Sequence, residues 1–163
     1  MTTQGLNLFI VDDNELLITD LKYYLQNKFG GSIKISTFID GESCLEKIDK
    51  DTHVVILDHL LNGKNGLEVL KLIKEINPKT EVIMYSGSED IGLAIETFRA
   101  GATDYVIKGQ GALKKISKLV NYIITAPIRV LVNEFKVSKF MAIFLTTFLI
   151  MAAVVLYALY RMK

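Results

Sequence analysis

Three carboxylates in this sequence follow apolar runs that have the character of buried strands. Asp12 and Asp13 come directly after the run 6–11 (LNLFIV), and Asp58 ends the run that starts at 53 (HVVIL). Because the strands of an open parallel sheet end at one shared edge, side chains that are far apart in the sequence can meet there. Carboxylate oxygens suit a hard divalent cation such as Mg²⁺ or Mn²⁺. The sequence therefore predicts a cation site at this edge.

Two further polar groups end later apolar runs, namely Ser86 and Lys108. Three clustered carboxylates repel one another and raise each other's pKa unless cations compensate them. One Mg²⁺ and the Lys108 ammonium would bring the total charge of the cluster to zero. A phosphoryl group could then enter, with its oxygens shared among the metal, the lysine and the serine hydroxyl. In this arrangement Asp58 is a nucleophile that attacks phosphorus.

The elements that must position these groups can be read from alternating patterns. Apolar, β-rich runs alternate with helical patterns, which is typical of parallel βαβ units. The predicted strands are 6–11, 33–38, 54–58, 81–86 and 104–108. The predicted helices are 14–29, 42–50, 67–76, 90–100 and 112–125. We expect Pro127 to end or kink the last helix, because proline lacks an amide hydrogen.

Several motifs in this order resemble the response-regulator receiver domain over residues 5–125. They are Asp12-Asp13, Asp58 with Gly66 eight residues later, Ser86-Gly87, the stretch 100–105 (AGATDY) and Lys108. The resemblance implies an α/β, flavodoxin-like (βα)5 three-layer sandwich with a parallel sheet of order 2-1-3-4-5. It also implies that a histidine kinase or a phosphotransfer protein donates a phosphoryl group to Asp58.

The resemblance further implies a role for each group around the metal. Asp13 and Asp58 would bind Mg²⁺ directly, together with the backbone carbonyl of Leu60. Asp12 would act through a water molecule, and Lys108 would pair with the phosphate. These roles are implied by the family pattern alone.

A switch is implied in the same way. Ser86, a serine where threonine is commoner, would move inward to bond the phosphate. Tyr105 matches the aromatic position that turns inward with this movement. The expected switch surface is the face of the fourth helix, fifth strand and fifth helix, which could bind an unknown output partner or a second copy of the chain.

Two positions depart from the family pattern. Gly109 follows Lys108 where the family usually has proline in a cis peptide bond. A cis bond to a non-proline residue costs about 3–4 kcal/mol, so a trans bond is favoured here. Asn62 replaces the proline that is common four residues after the phosphoacceptor. Neither change removes a chemical group from the site, and the sequence still predicts phosphorylation.

A run of 21 residues without a charge occupies 140–160. At about 1.5 Å per helical residue, it can cross a hydrocarbon layer of roughly 30 Å. The run predicts a transmembrane helix that follows the receiver domain. A buried helix of a soluble core is disfavoured, because such helices rarely lack a polar stripe over five turns.

Charge is distributed unevenly between the two parts of the chain. Residues 1–110 carry 11 basic and 17 acidic side chains, a balance of −6, whereas residues 111–163 carry 8 basic and one acidic, a balance of +7. Basic groups beside an apolar span suit the anionic headgroups of a membrane. We therefore expect contact with membrane lipid through 140–160 and no nucleic-acid partner.

These observations predict four segments. They are a receiver domain at 1–125, an amphipathic juxtamembrane linker at 126–139, a transmembrane helix at 140–160 and a short tail at 161–163. The apolar face within 128–137 fits either a helix on the membrane surface or a continuation of the fifth helix. The one apolar span predicts a single-pass membrane protein. The lone Cys44, the absence of a signal-peptide pattern and the short tail predict that its receiver domain lies in the bacterial cytoplasm.

Three classes of function are compatible with this organisation. A membrane-anchored signalling phosphoacceptor, which is not an enzyme, is favoured because the set of site residues is complete. The alternative is a constitutive membrane scaffold with the same fold and no phosphotransfer. A small flavodoxin-like enzyme or cofactor carrier is disfavoured, because the strand-edge loops carry acids where a flavin phosphate needs amides.

Some residues also have simpler interpretations when each is taken singly. Asp12 and Asp13 fit a helix cap, and Lys108 fits a solvated strand end. His59 could relay phosphate to its neighbour Asp58, but a solvated loop histidine is the favoured interpretation. The functional hypothesis therefore depends on the residues acting together.

Overall fold

The computed structural model describes residues 5–134, 147–153, 155, 157–158 and 160. The chain divides into two compact units, Met1–Ile124 and Thr125–Lys163. The first unit contains a five-stranded sheet with helices on both faces. In the second unit, the described residues from 147 onward are helical.

All five strands of the sheet are parallel. They are β1 (Leu6–Val11), β2 (Ile33–Phe38), β3 (Val54–Leu57), β4 (Glu81–Ser86) and β5 (Asp104–Ile107). Their order is β2-β1-β3-β4-β5, which confirms the predicted flavodoxin-like topology. β3 is buried along its whole length, as expected for a central strand that is covered on both faces.

The helices begin at polar capping residues. They are α1 (Glu15–Phe29), α2 (Gly41–Leu45), α3 (Gly66–Ile76), α4 (Ile91–Arg99) and α5 (Ala112–Glu134). Asn14, Asp40, Asn65 and Asp90 cap the first four, each accepting backbone amide hydrogens with its side chain. These caps satisfy amides that have no partner within the helix.

The core lies in two layers, one on each face of the sheet. On one face, Leu21 and Leu25 of α1 pack with Ile116 and Val120 of α5. On the other face, buried side chains of α2 and α3 pack together with partly buried side chains of α4. Cys44 belongs to this second layer, and burial raises the pKa of its thiol to about 12. The sheet is thus the middle layer of a three-layer sandwich.

Two predicted helix boundaries were wrong. The second helix ends at Leu45, well before residue 50. Beyond the helix, the backbone amide of Asp49 donates to Oγ1 of Thr52, and the Thr52 hydroxyl donates to Oδ1 of Asp49. These two bonds favour a turn over a further helical turn. The fifth helix does not end at Pro127 but continues to Glu134, in line with the alternative that residues 128–137 continue this helix. A proline removes one backbone hydrogen bond, and the turns on either side keep theirs.

The predicted membrane span is only partly covered by the described residues. Residues 140–146, 154, 156 and 159 of the span, and 135–139 of the predicted linker, lie outside them. Within the part of the chain that the structure describes, no helix has the length and apolar character needed to cross a membrane.

Candidate functional site

The three predicted carboxylates converge at the carboxyl edge of the sheet. Asp12 and Asp13 follow β1, and Asp58 follows β3, which is the neighbouring strand. One oxygen from each carboxylate lies within 4.8 Å of the others. Asp12 and Asp58 are 3% and 4% exposed, whereas Asp13 is open to solvent. The site therefore has two buried carboxylates and one exposed carboxylate.

Backbone amides hold the two buried carboxylates in place. The amide of Asn14 donates to Oδ1 of Asp12 at 2.9 Å, and the amide of His59 donates to Oδ1 of Asp58 at 2.7 Å. The amide of Asp58 also donates to the carbonyl of Val11 at 2.8 Å. This last bond ties the end of β3 to the end of β1, so the acids of the two loops are brought together by the sheet itself.

Lys108 places its ammonium between the two buried acids. Its Nζ lies 2.7 Å from Oδ2 of Asp12 and 2.7 Å from Oδ2 of Asp58. The lysine follows β5, and its amide donates to the carbonyl of Ser86 at the end of β4. The ammonium also lies 5.4 Å from the centre of the Tyr85 ring. The three loops thus bring a cation and two anions into direct contact.

Burial and charge act in opposite directions on the pKa values of Asp58 and Lys108. Burial raises the pKa of Asp58, the hydrogen bond and charge of Lys108 lower it, and the neighbouring Asp12 raises it; the net shift is upward. Burial alone would lower the pKa of Lys108, but Asp12 and Asp58 outweigh it, so the net shift is also upward. The lysine is therefore firmly protonated beside two crowded carboxylates.

The residues present fit a divalent cation. Oδ2 of Asp12 is buried and accepts no hydrogen bond, although the Lys108 ammonium is close to it. Three carboxylates within reach of one another offer the oxygen ligands that Mg²⁺ and Mn²⁺ prefer. The Lys108 ammonium already compensates this oxygen, so the fit to a divalent cation depends on the set of three carboxylates.

Residues 8–121 match the family described as the response regulator receiver domain, which is more than half of the chain. The chain belongs to this family.

Named relatives match the same region. The receiver domain is 29% identical over 109 residues to the transcriptional regulatory protein ZraR of Klebsiella oxytoca, covering 66% of this chain and 24% of ZraR. The chain spans between 16% and 44% of the length of the curated relatives compared with it. The activities of those whole proteins therefore do not transfer to this chain.

Solved receiver structures share the fold. The BeF3-activated receiver domain of DrrB from Thermotoga maritima is 29% identical, with a TM-score of 0.66 over 74% of this chain and 97% of that one. A chain of the CheX-CheY-BeF3-Mg²⁺ complex of Borrelia burgdorferi is 24% identical, with a TM-score of 0.63 over 71% and 87% of the two chains. The latter likeness concerns the fold alone.

Ser88 of this receiver domain connects the two predicted switch residues, and sequence reasoning missed it. Ser86 is fully buried, and its Oγ accepts the amide hydrogen of Ser88 at 3.2 Å. The hydroxyl of Tyr105 donates to the carbonyl of Ser88 at 2.9 Å, and the tyrosine is 8% exposed. Tyr105 therefore lies inward in this structure. Loop hydrogen bonds of this kind leave no periodic signal in a sequence.

The departures from the family pattern have clear structural outcomes. No cis peptide bond occurs among the described residues, so the bond between Lys108 and Gly109 is trans. The side chain of Asn62 donates to Oδ2 of Asp13 at 3.2 Å. The side chain of Leu60 is 67% exposed, and the metal role of its carbonyl stays a prediction. His59 contacts Asp58 through its backbone amide.

Gly66 lies where α3 touches the backbone of the phosphoacceptor loop. Its amide donates to the carbonyl of His59 at 2.8 Å. A Cβ at this position would lie 2.1 Å from the carbonyl oxygen of Asp58 and 2.7 Å from the Cα of His59. Only glycine allows this approach, because the atoms that a side chain would meet are backbone atoms.

We predict that Gly66→Ala destabilises the protein by about 3 kcal/mol, because the loop behind Asp58 must shift to admit a methyl group. Urea unfolding followed by circular dichroism measures the loss. Gly31→Ala is the matched control, since a Cβ at Gly31 meets nothing within 4 Å. Equal unfolding midpoints for Gly66→Ala and the unsubstituted chain would contradict the steric argument.

Proposed function

We propose that this receiver accepts a phosphoryl group on Asp58 from the phosphohistidine of a histidine kinase or a phosphotransfer protein. The observation that carries the proposal is the ammonium of Lys108, 2.7 Å from the buried carboxylate of Asp58 and from Asp12. The identity of the phosphoryl donor is proposed from membership of the receiver family. The relatives as whole proteins extend well beyond the region that matches this chain.

The proposed transfer forms one bond to phosphorus and breaks another. An electron pair of an Asp58 carboxylate oxygen forms a bond to phosphorus, and the bond between phosphorus and the donor imidazole breaks. The imidazole nitrogen keeps the electron pair of that bond and takes up a proton. The product is an aspartyl phosphate. Its extra negative charge needs compensation, which the Lys108 ammonium supplies from its position beside Asp58.

The remaining groups have supporting roles in this proposal. Asp12, Asp13 and Asp58, with the carbonyl of Leu60, would hold Mg²⁺ or Mn²⁺. When bound, the metal supplies positive charge for the phosphoryl oxygens. Ser86 would donate its hydroxyl to the phosphate. The likeness to the BeF3-activated DrrB receiver supports this assignment.

We propose that the output acts through the face of α4, β5 and α5. Ile91, Ile95 and Phe98 lie at helical spacing on α4, and each is between 47% and 76% exposed. Ile107 of β5 is 46% exposed on the neighbouring strand. Exposed apolar groups in such a cluster are typical of a protein-binding surface. The occupant would be an output protein or a second copy of the chain, and not nucleic acid.

Treatment of the purified chain with acetyl phosphate tests the phosphoacceptor proposal. Intact-mass measurement should show the gain of one phosphoryl group in the presence of Mg²⁺ and none in EDTA. The added group should be labile in base, as an acyl phosphate is. Absence of any gain in Mg²⁺ would favour the alternative of a constitutive scaffold with the same fold and no phosphotransfer.

We further propose that residues 140–160 anchor the receiver to the membrane, with the receiver on the cytoplasmic side. Support comes from the 21 uncharged residues and from the basic residues on both sides of them, Arg129, Lys136, Lys139, Arg161 and Lys163. Positive charge flanking an apolar span favours binding to anionic headgroups.

Deletion of residues 140–163 should release the protein from the membrane. The reason is that each apolar residue in the span contributes favourably to insertion. Membrane pelleting followed by immunoblotting measures the change from pellet to supernatant. Deletion of 161–163 alone is the control and should leave the protein in the pellet. If the longer deletion also stays in the pellet, the span is not the anchor.

A further inference from the structure

Asp13 differs from the other two acids in how it is held. Asp12 and Asp58 are buried, and each accepts a backbone amide hydrogen. Asp13 is exposed, and its Oδ2 accepts a hydrogen bond from the side chain of Asn62. The partners are 49 residues apart in the sequence, so the contact joins the loop after β1 to the loop after β3.

The loop that carries Asn62 is itself fixed on its other side. Oε1 of Glu42 accepts the amide hydrogen of Lys64 at 3.1 Å and lies 3.5 Å from its ammonium. The side chains of Asn65 and Glu68 then form a capping box at the start of α3. A side chain on a loop held in this way has a defined position from which to orient its partner.

We propose that Asn62 is a positioning residue for Asp13 in the metal site. The inference rests on the proposed function. The hydrogen bond uses Oδ2 and does not use Oδ1 of the same carboxylate, so one oxygen can be held while the other binds a cation. Partners that orient metal ligands in this way usually contribute strongly to metal affinity. The side-chain amide of Asn62 thereby does for Asp13 what backbone amides do for Asp12 and Asp58.

The position of the amide makes the role specific to this chain's loop. A proline at position 62 has no side-chain donor, so it could not make this bond. Asn62 therefore couples the loop that follows the phosphoacceptor to a carboxylate of the first loop. Because the bond is exposed and 3.2 Å long, we expect an effect at the lower end of the usual range.

Metal titration of the full-length chain in detergent tests the inference. The free Mn²⁺ signal in electron paramagnetic resonance gives the dissociation constant, and competition gives that of Mg²⁺. Asn62→Ala should raise the dissociation constant by about tenfold. Lys71→Gln, an exposed position on α3 after this loop, is the matched control and should change the dissociation constant little.

A double-mutant cycle separates orientation of Asp13 from a general loosening of the loop. In an Asp13→Ala background, Asn62→Ala should cause no further loss of affinity, because its partner is gone. An equal loss in both backgrounds would overturn the inference, as would unchanged or tighter binding by Asn62→Ala alone. Failure of the unsubstituted chain to bind either metal would instead overturn the metal site of the proposed function, and this inference with it.

Discussion

The Asp58→Asn chain will gain no phosphoryl group from acetyl phosphate and Mg²⁺, whereas the unsubstituted chain gains one. Asparagine has nearly the same shape, and its oxygen can still accept the amide hydrogen of His59, so the loop keeps its anchor. An amide oxygen carries no full negative charge and is a poor nucleophile toward phosphorus. We therefore expect complete loss of uptake, measured by intact mass under identical conditions.

His59→Gln is the control for this substitution, because His59 is the nearest alternative nucleophile in the loop. Its phosphoryl uptake should match that of the unsubstituted chain. A mass gain in Asp58→Asn equal to that of the unsubstituted chain would show that another residue accepts the group. An acid-labile gain would point to a histidine, since phosphohistidine is labile in acid.

Lys108→Met will lower both the stability of the fold and the rate of phosphoryl uptake. The substitution leaves two buried carboxylates, Asp12 and Asp58, without their shared cation. Removing one member of a buried ion pair costs about 3 kcal/mol or more. Loss of a group that stabilises developing charge slows a reaction by about 100-fold or more. Urea unfolding and time-resolved intact mass measure the two effects.

The stability loss of Lys108→Met should depend on pH. Burial raises the pKa of Asp58, and Lys108 opposes that rise. Because the folded-state pKa is above the unfolded value, the favourable contribution of Asp58 is present at low pH and is lost as the pH rises through the folded-state pKa. Without Lys108 the rise in pKa is larger. The difference in unfolding free energy from the unsubstituted chain should thus be smaller near pH 4 than at pH 8.

Lys64→Met is the control for both measurements. Lys64 also pairs with a carboxylate, that of Glu42, but both side chains are 45% exposed. Exposed ion pairs contribute little to stability, so this variant should unfold and accept phosphate much as the unsubstituted chain does. A Lys108→Met variant that is as stable as Lys64→Met at every pH would contradict the electrostatic argument.

The sheet could be predicted from the sequence because its strands are short apolar runs with polar residues at their ends. β1, β2 and β4 begin and end where the runs do. The parallel topology then places Asp12, Asp58, Ser86 and Lys108 near one edge without any knowledge of side-chain contacts. This part of the candidate site follows from the alternation of strand and helix patterns, whereas the strand order was implied by the family resemblance.

Other features depend on contacts that a pattern does not record. The hydrogen bond between Asn62 and Asp13 joins two loops, and the position of Tyr105 depends on a backbone carbonyl in a third. Local rules also mislead in two places: α5 continues past Pro127, and α2 ends at Leu45. The roles of the site residues and the membrane anchor stay predictions.

The contact at Gly66 also limits which substitutions this loop can tolerate. The middle of the loop before it, residues 62–65, is exposed to solvent. At position 66 not even one carbon can be added without displacing the carbonyl of Asp58. Substitutions in this loop should therefore be tolerated in its exposed middle and not at Gly66.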